Sequence, residues 1–181
     1  MILTATTSGN TTLTEMVKEY TAYNLWANKA LVEWLRTHDA ALLEKEVPSS
    51  FSSIKATLHH IYTTENWWLS NLRNENPQLE YGAVFTGTVA EALSEVLAVS
   101  TELNELVRNY SATELEETCE VVIPFTGTFD IPRAQIINHI MCHSIYHRGQ
   151  VVTIGRNVGV TGAQNTDYMY YQLLGKGEQV G

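Results

Sequence analysis

Four stretches of the chain carry apolar residues at alternating intervals of three and four, the period of a helix with one buried face. In the first, Met16, Tyr20, Tyr23, Ala27, Leu31 and Trp34 form a single stripe. Thr12 and Glu15 precede it at capping-box spacing, so helix one is expected to begin near Thr12 and run for about 25 residues. A segment with Pro48 and the serines that follow it reads as a connector. Ile54, Leu58, Ile61, Trp68 and Leu72 mark helix two, expected from about Ser52 to Asn74. Pro77, Gly82 and Gly87 predict a loop over 75–87. Thr88 and Glu91 make a second capping box, after which Val89, Leu93, Val96, Ser100, Leu103, Val107 and Tyr110 trace the seam of a bundle helix.

The period changes over 117–131, ETCEVVIPFTGTFDI, where β-formers surround Gly127 and predict a short hairpin or extended excursion. Helix four is expected from Pro132, tolerated in a first helical turn, to about Arg156, with Asn157 and Gly159 as stop signals. TDYMYYQLL (166–174) suggests a short fifth helix capping the bundle, and GKGEQVG a loose tail. Four long amphipathic segments in 181 residues imply an all-α, antiparallel four-helix bundle forming one domain, 1–181, with its core about 12–174. Periodicity leaves the connectivity open.

Composition adds limits. Hydrophobic residues make up 44% and charged residues 17%, the balance of a globular chain. The 20 Asp and Glu against 11 Lys and Arg give a net charge of -9, which opposes binding to nucleic-acid phosphates and to anionic membranes. Cys119 and Cys142 lack metal or redox spacing and fit a reducing compartment, with one bridge between them as the alternative. The first residues carry no basic start with a long apolar run, and no apolar stretch is long enough to span a bilayer. A soluble cytoplasmic protein is expected.

The candidate chemistry lies in histidines. NHIMCHSIYHRGQ places His139, His143 and His147 at successive intervals of four on helix four. Neighbours four apart lie about 6 Å apart along the axis and can share an ion, whereas the outer two, about 12 Å apart, cannot easily do so. Ile136, Ile140, Val151 and Ile154 define the apolar face; His143 and His147 fall near its centre and His139 to one side. Two imidazoles on a buried stripe need partners, and a metal satisfies both. Helix two offers a third ligand. His59 shares its side with Lys55, Asn66 and Arg73, a solvated flank, while His60 sits beside Thr57, Ile61 and Thr64, which mildly favours His60. Glu65 lies near the centre of helix two's apolar face as an orienting carboxylate or, less favourably, a ligand; Gln150 is a second orienting candidate, and Arg148 reads as a surface or interhelix contact. His38 and the helix-one aromatics read as surface and core, and Cys142 as packing. Three imidazoles with open positions suit Zn, Ni or another first-row divalent ion. The E-x-x-H pairs of di-iron bundles, H-E-x-x-H, G-x-S-x-G and Gly-rich phosphate loops are absent from the sequence.

Three segments carry a family resemblance: YNLWANKALVEWL (23–35), LHHIYTTENWWL (58–69) and NHIMCHSIYHRGQV (138–151). With the TDYMYYQLL ending, they resemble the DinB/YfiT-like family of metal-dependent bundle proteins. The resemblance implies an up-and-down bundle, His60, His143 and His147 as ligands of one Ni or Zn ion, and a homodimer. It also implies a thiol S-transferase or related hydrolase-like activity on a small substrate, with a non-catalytic metal-binding stress-response protein as the alternative. A metal that binds a small thiol lowers its pKa and delivers a nucleophile at neutral pH.

Overall fold

The computed structural model describes residues 12–75, 77–78 and 84–177. Parts of the expected 75–87 loop, including Gly82, and the end of the expected tail lie outside these residues. Four long helices form where the apolar periods predict them. Helix α1 spans Leu13–Arg36, with the Thr12 hydroxyl accepting from the Glu15 amide at 3.2 Å and the Glu15 carboxylate accepting back from the Thr12 amide at 2.7 Å. Helix α3 spans Ile54–Leu72, capped by the Ser53 hydroxyl, and α4 spans Val89–Arg108 behind the Thr88–Glu91 box. Helix α6 runs Arg133–Val158 directly after Pro132 and stops at Gly159, whose φ of 92° is a left-handed cap that side chains resist.

Between α4 and α6, strands β1 (Thr118–Ile123) and β2 (Gly127–Pro132) pair antiparallel, with Cys119 opposite Ile131 and Val121 opposite Phe129. A short α7, Tyr168–Leu173, starts from an Asp167 cap and lays Tyr168 and Tyr171 against Tyr23 of α1. Two α-helices were not foreseen, α2 (Ala40–Glu44) in the expected connector and α5 (Ala112–Glu116) ahead of β1. Each has five residues, too few to display a helical period. The expected loose tail opens with a 3-10 turn over Gly175–Gly177. Among the described residues no helix is long and apolar enough to cross a membrane.

The order of helices departs from a simple up-and-down bundle. Helix α1 packs on α4 and α6, and α3 packs on the same two. Asn28 meets Ser100 and Thr21 meets Asn104, so α1 and α4 are antiparallel. His60 meets His143 while Trp68 meets His139, so α3 and α6 are antiparallel too. The other seams run parallel: Lys55, Glu65 and Arg73 face Gly87, Ser100 and Glu102 in ascending order, and Asn24 and Trp34 face Arg148 and Gly155. The chain therefore goes up, down, down, up. The segment from Arg73 to Thr88 is long enough to permit this, since α3 measures about 28 Å and a chain of that length reaches about 50 Å. At Gly155 an added Cβ would stand 3.1 Å from the Trp34 ring, so a missing side chain sets how closely α1 and α6 approach there.

A polar layer divides the apolar core. On one side lie Leu31, Leu35, Leu58, Ile61, Val96, Val151 and Ile154; on the other Leu69, Leu72, Leu103, Val107, Ile136, Ile137 and Ile140. Between them all four long helices contribute to one hydrogen-bonded network. The Glu65 carboxylate, fully buried, accepts from Asn24 Nδ2 (2.7 Å), Ser100 Oγ (2.8 Å) and Ser144 Oγ (2.7 Å), with Asn28 Nδ2 at 3.4 Å. Arg148 Nη1 donates to Asn24 Oδ1 (2.6 Å) and Asn28 Oδ1 (3.0 Å), its guanidinium over the Tyr23 ring. The two asparagines bridge a carboxylate on α3 to a guanidinium on α6, and the donors satisfy charge that burial alone would penalise.

Candidate metal centre

One turn from that layer, at the α3–α6 seam, three imidazoles converge. One nitrogen from each of His60, His143 and His147 lies within 4.8 Å of the others. The ring centroids are 4.8 Å apart for 60 and 143, 4.5 Å for 60 and 147, and 4.3 Å for 143 and 147. His60 Nε2 and His143 Nε2 stand 3.0 Å apart. Only one proton fits between them, so at least one presents a bare lone pair to the other. Among the described residues, His143 Nδ1 is buried with no hydrogen-bond partner. His147, mostly buried, places Nδ1 at 2.7 Å from Gln150 Oε1, and Gln150 Nε2 donates to the Tyr146 hydroxyl at 3.1 Å.

Phe51, from the connector before α3, stacks on the His60 ring at 4.1 Å and meets His147 edge-on at 5.6 Å. This apolar ring covers one side of the cluster. Burial lowers the His60 pKa to about 4 and the His143 pKa to about 3, and the neighbouring imidazoles push both further the same way. Burial also lowers His147, opposed by its bond to Gln150. All three are therefore neutral near pH 7, the form that ligates metal. A tetrahedral site with Zn–N of about 2.05 Å has nitrogens about 3.3 Å apart, so the observed spread needs only small ring movements to serve one ion. The donor set fits a divalent transition metal.

The depressed pKa values have a stability consequence for the metal-free chain. Unfolded, these histidines take up protons below about pH 6.5; folded, His60 and His143 do so only near 4 and 3. The unfolded state then binds more protons, so the contribution to stability is complete above pH 6.5 and is lost as pH falls from 6.5 towards 4. Urea midpoints of metal-free protein should drop between pH 7 and pH 4.5, and the His60→Ala/His143→Ala double variant should show a shallower drop. Parallel pH profiles would refute the assignment.

The other sequence candidates are placed elsewhere. His59 stacks on Phe85 at 4.2 Å and faces Glu95 of α4 at 3.7 Å, away from the cluster. His139 packs against Trp68, its ring 6.0 Å from that of His143. His38 sits at the end of α1 against the Trp34 carbonyl, and Cys142 is exposed. Glu65 is buried as its position implied, but its partners are asparagine and serine side chains rather than an imidazole. Arg148 makes interhelix contacts, not surface ones. Sequence reasoning missed Phe51, Tyr146 and the asparagine bridge; the signal was available for Asn24 and Asn28, amides four apart beside an apolar stripe.

The sequence profile of the DinB family matches residues 9–178. The chain belongs to the DinB family. Protein DinB of Bacillus subtilis (strain 168) is 24% identical over 178 residues, covering 87% of this chain and 94% of the relative. A DinB-like protein from Bacillus cereus ATCC 10987 superposes with a TM-score of 0.58 at 19% identity, over 77% of this chain and 91% of that one. YfiT from Bacillus subtilis, described as a probable metal-dependent hydrolase with an unusual four-helix bundle topology, gives a TM-score of 0.63 at 12% identity, over 86% and 93%. At such identities the two structures establish the DinB fold for this chain, not its chemistry.

Proposed function

We propose that this DinB-family chain is a metal-dependent enzyme that activates a small nucleophile on one Zn or Ni ion held by His60, His143 and His147. The observation that carries the reading is the convergence of three imidazole nitrogens within 4.8 Å, supplied by two helices packed into the core. Three protein ligands leave a coordination position for a reactant, the pattern of reactive rather than structural sites. When bound, such an ion supplies a lowered pKa to a water or thiol beside it. The description of YfiT as a probable metal-dependent hydrolase accords with metal-activated chemistry.

What the residues offer favours a thiol over water. Among the described residues the cluster contains no carboxylate to serve as a general base, and the nearby Glu65 has both oxygens committed to buried donors. A nucleophile bound there would depend on the ion alone to lower its pKa. Free thiols start near pKa 8.5, against 15.7 for water, and need far less assistance. Thiol S-transfer to a small electrophile is the best-supported activity. Within it, Phe51 would exclude water from one side, and the three imidazoles would hold the ion without adding charge.

The test mixes Zn- or Ni-loaded protein with bacillithiol, mycothiol or glutathione and monochlorobimane, following loss of free thiol. Loss that depends on metal and disappears in His147→Ala supports the enzyme. If the metal-loaded protein consumes none of these thiols, the thiol reading fails; metal binding alone would then favour a non-catalytic stress-response role.

A further inference from the structure

The three imidazoles are not held alike. His60 is gripped by the face of Phe51, an apolar contact that sets the ring plane but not the position of its proton. His143 has a buried Nδ1 with no hydrogen-bond partner among the described residues. Among the described residues, His147 alone of the three has a ring nitrogen hydrogen-bonded to a side-chain amide, with Gln150 Oε1 2.7 Å from Nδ1. The amide is itself held from behind, because Gln150 Nε2 donates to the Tyr146 hydroxyl at 3.1 Å and the Tyr146 ring stands edge-on to His147 at 4.9 Å. Residues 146, 147 and 150 are spaced so that these groups meet on adjacent turns of α6.

From this geometry we propose that Gln150 is the positioning residue of the cluster, fixing His147 as the tautomer with N–H on Nδ1 and its lone pair on Nε2, towards His60 and His143. The inference rests on the metal-centre reading above. A neutral imidazole carries one N–H and one lone pair. A carbonyl oxygen at Nδ1 can only accept, so it keeps the proton there and leaves Nε2 bare. Without that acceptor the ring is free to populate the other tautomer, in which an N–H points at the place where the ion would sit. Outer hydrogen bonds of this type typically change metal affinity about 10- to 100-fold. Gln150 thus makes His147 the preset ligand, and the other two adjust around it.

Two measurements test this. Long-range 1H–15N correlation on metal-free wild-type protein should show His147 as the Nδ1–H tautomer, and Gln150→Leu should shift it towards a mixture. Competition with a chromophoric chelator should show Zn(II) binding weakened about 10- to 100-fold in Gln150→Leu, whereas Gln150→Glu, which keeps the acceptor, should bind close to wild type. Gln150→Met serves if the leucine variant does not fold. A wild-type His147 with its proton on Nε2, or a Gln150→Leu protein that binds Zn(II) as wild type does, overturns the proposal. If wild-type protein binds no Zn(II), the metal-centre reading fails, and the tautomer comparison still decides the role of Gln150.

Discussion

His143→Ala is expected to bind Zn(II) about 100-fold more weakly than the parent chain while folding normally without metal. Three-way sharing of about 10 kcal/mol, the low end for zinc held by a small domain, gives each imidazole about 3 kcal/mol, or a little over two decades of affinity. The metal-free fold should hardly notice. His143 Nδ1 is a buried polar atom with no partner, and leaving such an atom unmade costs about 1–3 kcal/mol. Deleting the ring removes that penalty together with its packing, and the two effects oppose each other. Chelator competition and urea unfolding on the same preparation separate function from stability. Near-parental affinity would remove His143 from the ligand set, and a large loss of metal-free stability would mean that the ring is there for packing.

Glu65→Leu should do the reverse, lowering stability by about 3–5 kcal/mol, as when one partner of a buried ionic network is removed. Arg148 is 3% exposed and would keep its charge with no carboxylate beyond the two asparagines, while Asn24 Nδ2 and Ser144 Oγ would lose their acceptor and Ser100 would keep only the Val96 carbonyl. At this chain length each kcal/mol moves the melting temperature by about 2–4 °C, so the midpoint should fall by roughly 10 °C. Combining Glu65→Leu with Arg148→Met should recover a large part of the loss, because the stranded guanidinium goes too. A coupling of more than about 1 kcal/mol between the two changes is expected. Strict additivity, or a single-variant loss below about 1 kcal/mol, would show that the layer is not one connected network.

The four long helices and the hairpin were legible in the chain because each displays several periods of its own pattern. Thr12–Glu15 and Thr88–Glu91 even placed two helix starts, since capping is local chemistry. Packing order was not legible, because a periodic stripe says which face is buried but not against which neighbour. The site was half visible. His143 and His147 share one helix face and can be paired by counting, whereas His60 could be preferred over His59 only by the polarity of its flank. Glu65 was conspicuous as a charge on an apolar face, but its partners lie on three other helices, and no local spacing connects them. Phe51 was hidden in a connector whose composition announces a turn and says nothing of what the turn covers.

The up, down, down, up course of the chain makes the last long helix a keystone in time as well as in space. His60 and His143 are 83 residues apart, and Asn24 and Arg148 are 124 apart. Synthesis delivers the N-terminal helices first, so a nascent chain can offer His60 but no converging set until α6 has docked in its groove. On the metal-centre reading, metal capture would then be an event of the finished molecule. It would act by mass action on the completed fold, with no part in templating the early steps, and a chain cut before α6 would lose the centre whole.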